Sequence, residues 1–155
     1  MLHQTHQAAQ PVASWGVAAS ATLHCLTGCA IGEVLGMVIG TALGWGDVAT
    51  IVLAVALAFV FGYAFTLLGV LRAGVGLATA IKVALIADTL SITVMEIVDN
   101  AVMIAVPGAM EAGLGSALFW GALAFALAVA FFAAWPVNRW MISRGRGHAV
   151  VHQYH

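Results

Sequence analysis

Residues 47–71 read DVATIVLAVALAFVFGYAFTLLGVL, and after Asp47 no side chain in the stretch carries a formal charge at neutral pH. At 1.5 Å per helical residue the stretch is about 37 Å long. That exceeds the roughly 30 Å hydrocarbon core of a bilayer. The apolar residues are continuous, not broken at three-to-four spacing by polar ones, so a helix built from them has no face for water. This stretch specifies a transmembrane helix.

Working outward, three more runs reach the same length once the chain is divided at its Gly, Pro and charged residues: 15–44 before it, and 75–106 and 114–142 after it. The connections Trp45-Gly46-Asp47, Arg72-Ala73-Gly74 and Pro107 to Gly113 are short, which makes successive helices antiparallel neighbours. The expected fold is therefore all-α: a four-transmembrane-helix bundle over residues 15–142, with a polar tail at 1–14 and a histidine-bearing tail at 143–155. Composition agrees. Of 155 residues 63% are hydrophobic and 7% charged, against about 25% charged in a soluble domain, and the mean hydropathy is +1.06. A formal net charge of -1 makes no case for nucleic acid; the partner this composition implies is the lipid bilayer. Residues 1–10 contain no Lys or Arg, so the first run is expected to be retained as a helix rather than cleaved as a leader.

Cytoplasmic loops and ends are enriched in Lys and Arg. Arg72 and Lys82 flank the second connection, and Arg139, Arg144 and Arg146 close the fourth run. With four spans these fall on one side, so both termini and the middle connection are expected in the cytoplasm of a cell (inner) membrane. Asp47 and Glu111 then mark the outer loops. Trp15, Trp135 and Trp140 at the inner interface and Trp45 at the outer one fit that orientation.

The first run contains two stripes at a spacing of four. Gly28, Gly32, Gly36, Gly40 and Gly44 form a glycine zipper, a groove that lets another backbone approach closely. Either another helix of the chain or a second copy could fill it. Beside it, Cys25, Cys29, Glu33 and Met37 bring two thiols, a carboxyl and a thioether onto one face. Cys25 and Cys29 sit one helical turn apart, poor geometry for a disulfide and ordinary geometry for shared ligation. Cys and Met alone are ordinary buried apolar residues. Glu33 is different, because a carboxyl group in mid-bilayer costs about 3 kcal/mol or more on insertion scales.

The third run carries Asp88, Thr89, Ser91, Thr93, Met95, Glu96, Asp99 and Asn100. At 100° per residue these fill one arc with Lys82 and Met103, opposite Leu90, Val94, Ile97, Val98 and Ala101. The Ser and Thr residues have a bland reading as backbone-bonding side chains, and Lys82 as a side chain reaching to the interface. Three carboxyls do not. Because the first and third spans run in the same direction, Cys29 and Glu33 are expected level with residues 90–95, and the two polar stripes are expected to meet. Four buried carboxyl groups then either keep protons or hold a cation. In the C-terminal tail His148, His152 and His155 share one face if the tail is helical, and imidazole is a common metal ligand. The alternative is a flexible polar end.

The string His24-Cys25-x-x-Gly28-Cys29-x-x-Gly32-Glu33, together with Met95-Glu96 and the closing Gly147-His148-Ala149-Val150-Val151-His152, resembles a bacterial family of short four-helix membrane proteins of unknown function. The resemblance covers nearly the whole chain. It groups these positions as a set and implies no substrate.

The residues themselves lead to a protein that binds and conducts a transition-metal ion. Thiolate and thioether select soft ions such as Cu(I), while carboxylate and imidazole leave Zn, Ni or Fe open. The metal set is Cys25, Cys29, Glu33, Met37, Asp88, Met95, Glu96, Asp99 and His24, with His148, His152 and His155 of the tail receiving or delivering the ion. The rival reading is a proton- or cation-conducting bundle that uses the carboxyls alone; a third is a redox protein that uses the Cys25/Cys29 pair. No nucleophile–base–orienter set or phosphate loop is present, so no enzyme is expected. So much polarity in four helices, and an unpaired zipper, also lead one to expect a homo-oligomer.

Overall fold

A computed structural model describes residues 14–144. They form four helices, α1 (Trp15–Ala42), α2 (Asp47–Arg72), α3 (Leu77–Ala105) and α4 (Ala117–Ser143), with no strand among the described residues. Each boundary falls within three residues of the one expected from sequence. Ser14 caps α1 by accepting from the Val17 amide at 3.1 Å, and Ser116 caps α4 by accepting from the Leu118 amide, satisfying donors that a first turn otherwise leaves open. The connections after α1 and α2 turn through Gly44 and Gly74, both at positive φ, where a side chain would be strained.

The helices α1, α2 and α4 are long and apolar enough to cross a membrane, and they mark the chain as a membrane protein. Helix α3 is equally long but carries Lys82, Asp88, Glu96 and Asp99. It packs against all three others, with Asp88, Glu96 and Asp99 buried and Leu85, Leu90, Ile97 and Ile104 outward. The bundle is thus apolar outside and small or polar inside, the arrangement a hydrocarbon solvent favours.

The zipper of α1 is filled from within the chain. A Cβ placed on Gly28 would lie 2.9 Å from the Gly62 Cα, and one on Gly36 would lie 2.7 Å from the Ala54 nitrogen. At Gly32 the obstruction is the Ala58 backbone, and at Gly40 the Thr50 side chain. Helix α2 answers with its own buried stripe at a spacing of four: Thr50, Ala54, Ala58, Gly62, Thr66 and Val70. Gly44 belongs to the turn, not to the zipper. The zipper is therefore no argument for a second copy. Helix α4 presents Ala122, Ala126, Ala130 and Ala134, all buried, on a similar stripe.

One end of the bundle gathers the start of α1 and the end of α4. The Trp135 indole donates to the Trp15 carbonyl at 2.9 Å, and the Arg139 guanidinium lies 4.4 Å from the Trp15 ring centroid. The opposite end carries Asp47 and Glu111 beside a surface depression of about 480 Å³.

Candidate functional site

With its glycine face against α2, α1 turns Cys25, Cys29 and Glu33 toward α3, and all three are buried. The Cys25 thiol donates to Asp88 Oδ1 at 3.5 Å, and Ser91 adjoins the same sulfur. One turn along, Cys29 faces Glu96, with Glu33 and Asp99 beside it. Glu33 in turn faces Asp99 and Glu96. The Asn100 amide donates to the Glu96 backbone carbonyl at 2.8 Å and reaches Glu96 Oε2 at 3.4 Å. Three carboxyl groups and a thiol thus share one buried neighbourhood, and Cys29 stands near the midpoint of α1.

The groups around Glu33, Glu96 and Asp99 include no basic side chain among the described residues. Glu33 Oε2 and both Asp99 oxygens make no well-formed hydrogen bond there. Uncompensated buried polar groups of this kind cost about 1–3 kcal/mol each, more if charged. No three His, Cys, Asp or Glu side chains among the described residues are arranged ready to hold a metal ion; the neighbourhood is a set of potential ligands and not a formed ligand shell.

Sulfur extends the site. Met95 is buried in one core with Cys25, Cys29, Ile92, Ala58, Ala130 and Ala134. Met37 lines a cavity with about 10 Å³ of free space, alongside Glu33, Asn100, Met103 and Met110. That is room for about one water molecule.

The structure corrects several sequence expectations. Cys25 meets Asp88 and Glu33 meets Asp99, so α3 sits up to about one turn from the expected register with α1; four turn residues join α2 to α3, and turn geometry sets a helix offset that run lengths do not reveal. His24 does not enter the buried stripe. Its ring is exposed, 3.4 Å from the Thr66 hydroxyl and edge-on to Phe65, because position 24 is rotated about 100° from Cys25. Lys82 and Thr89 are exposed and Thr93 half-buried, so the polar arc is narrower than the pattern implied. Thr89 and Thr93 donate to the carbonyls four residues back, Leu85 and Thr89, the bland reading of such residues. His148, His152 and His155 lie outside the described residues.

A buried pair escaped the sequence reading altogether: the Asn138 amide donates to Thr22 Oγ1 at 2.8 Å, and the Thr22 hydroxyl donates to the Ala18 carbonyl at 2.7 Å. Both side chains are fully buried, and Asn138 Oδ1 has no partner among the described residues. An amide within an otherwise apolar run was the available signal. Met110 was passed over because it lies in a loop, where sequence periodicity says nothing.

No curated protein and no solved structure shows significant similarity to the chain. A family description does match, across residues 14–147, which takes in all four helices and every buried site residue named above. The chain accordingly belongs to the family described as Domain of unknown function (DUF4396).

Proposed function

We propose that the protein binds a transition-metal cation within the membrane and conducts it along the seam between α1 and α3, Cu(I) being the ion its donors suit best. The observation that carries this reading is Cys29 standing among Glu33, Glu96 and Asp99, buried with no basic group among their neighbours. A thiol alone is ordinary core, and a carboxyl alone is a proton carrier. A thiol in the midst of three carboxyls, with Met95 in the same core, supplies soft donors for the ion and negative charge to offset it. In this reading Cys25, Cys29, Met95 and Met37 are the soft donors. Asp88, Glu33, Glu96 and Asp99 supply hard ligation and charge balance.

The basic residues Arg72, Lys82, Arg139 and Arg144 gather at one end of the bundle, and by the positive-inside rule we assign that end, with both termini, to the cytoplasmic face of the inner membrane. Element-specific metal analysis of the detergent-purified protein tests the reading. Wild type should retain copper that a Cys25→Ser/Cys29→Ser variant loses; equal, near-zero metal in both defeats it.

A second reading is favoured by the lack of a ready three-ligand set among the described residues: the carboxyls relay protons or a hard cation, and the thiols only pack. In liposomes such flux would vanish in Glu96→Gln or Asp99→Asn and survive in Cys25→Ser.

A further inference from the structure

Beyond Glu33 the seam continues toward the end that carries Asp47 and Glu111. Met37 follows Glu33 by one turn on α1, and Met103 follows Asp99 by one turn on α3. Both sulfur side chains line the same small cavity as Glu33, and Met110 from the connection between α3 and α4 closes it. Met103 is buried, Met37 and Met110 half-buried. The outer wall of this cavity is shared: Ile51 and Met110 also line the surface depression that holds Asp47 and Glu111. From surface to core the order is therefore acidic depression, thioethers, carboxyls, thiol, with successive α1 layers about 6 Å apart.

We propose that Met37, Met103 and Met110 form a thioether site for a soft monovalent cation at the mouth of the seam. Methionine is a common gap-filler, and three of them in a core would ordinarily need no further account. Here all three border one cavity with Glu33, whose Oε2 is buried and has no hydrogen-bond partner among the described residues. Thioethers are neutral and soft: they bind Cu(I) or Ag(I) and do not strip water from a hard divalent ion. A monovalent ion held by three of them keeps its full charge, which the Glu33 carboxylate behind can balance. Asp47 and Glu111 raise the local concentration of cations in front of the site. Met110 stands between depression and cavity, so it admits the ion by the rotamer change of an unbranched side chain.

The site rests on the metal-permeation reading for its purpose, and its test separates the two. The probe is Ag(I), a redox-stable stand-in for Cu(I), titrated against full-length protein in detergent in competition with a chelator. Differences between variants are read, since the tail histidines are common to all. Met37→Leu/Met103→Leu/Met110→Leu should lose one Ag(I) that wild type and Cys25→Ser/Cys29→Ser both retain. Met110→Leu alone should weaken that site by about tenfold or more, since even residues behind a ligand matter that much. Leucine nearly conserves volume, and Met110→Leu, in a loop, decides the matter if the triple variant does not fold. X-ray absorption of the Ag(I)-loaded Cys25→Ser/Cys29→Ser protein should show sulfur neighbours, which only Met can then supply. Silver binding unchanged in Met110→Leu, or an absorption spectrum without sulfur, overturns the proposal. Silver lost only in the cysteine variant overturns it too while leaving the thiol reading standing; silver lost only in the methionine variants does the reverse.

Discussion

Gly32→Ala adds a single methyl group where α1 lies against α2, and the structure says what it meets. The new Cβ would sit 2.6 Å from the Ala58 Cα, whereas ordinary contact begins near 3.4 Å. The obstacle is backbone in the middle of a helix and cannot rotate away. Relief requires the two helices to part by roughly 1 Å, and overpacking of this kind costs about 1–3 kcal/mol. Alanine's better helix propensity returns up to about 1 kcal/mol, so a net destabilisation of up to about 2 kcal/mol remains. Gly121→Ala in α4 is the paired control. A Cβ there meets nothing within 4 Å, only the propensity term applies, and the sign reverses to a stabilisation of up to about 1 kcal/mol. Unfolding in mixed micelles of rising SDS fraction, followed by the fluorescence of the five tryptophans, measures both. Should Gly32→Ala unfold at the same or higher SDS fraction than wild type, the close backbone approach of α1 to α2 is wrong.

Other expectations follow from the polar interior. Asn138→Ala should destabilise by about 1–2 kcal/mol in the same assay, combining a lost interhelical hydrogen bond of about 0.6 kcal/mol with the space left by a fully buried side chain. Thr22→Val keeps the shape but strips the buried Asn138 amide of its acceptor, which should cost about 1–3 kcal/mol; no loss of stability in that variant would mean that the pair does not form. Copper binding should weaken as pH falls, because thiol and carboxyl must release protons to ligate and protons then compete with the metal; competition titrations at several pH values that show no such trend would exclude these donors. His24→Ala should leave copper stoichiometry unchanged, since the ring lies exposed against α2, and a loss of metal in that variant would return it to the site.

The sequence made the bundle legible because hydrocarbon leaves little freedom: an uncharged run such as residues 51–71 has one stable setting, and short connections fix the order of neighbours. The buried faces of α1 and α3 were equally readable, since Glu33, Glu96 and Asp99 cannot face lipid cheaply. The partner of the zipper was hidden for the opposite reason. Thr50, Ala54, Ala58 and Gly62 are so ordinary within an apolar run that their shared face carries no contrast, and only contact with α1 reveals it. The offset between α1 and α3 depends on turn geometry, and the enclosure by Met110 depends on a loop fold; neither leaves a periodic trace. His24 was misplaced because adjacency in a motif is not adjacency on a helix.

The close seating of α1 on α2 has a mechanical consequence. With backbone against backbone from Gly28 to Gly36 and the Thr50 side chain seated on Gly40, neither helix can slide a step along the other without driving alanine and threonine side chains into main chain. The first hairpin is therefore one stiff plate. Any widening of the space around Cys29 and Glu33 must come from shifting α3 and α4 away from that plate, and the eleven-residue strap between them, the longest connection among the described residues, gives that half of the molecule the slack to move.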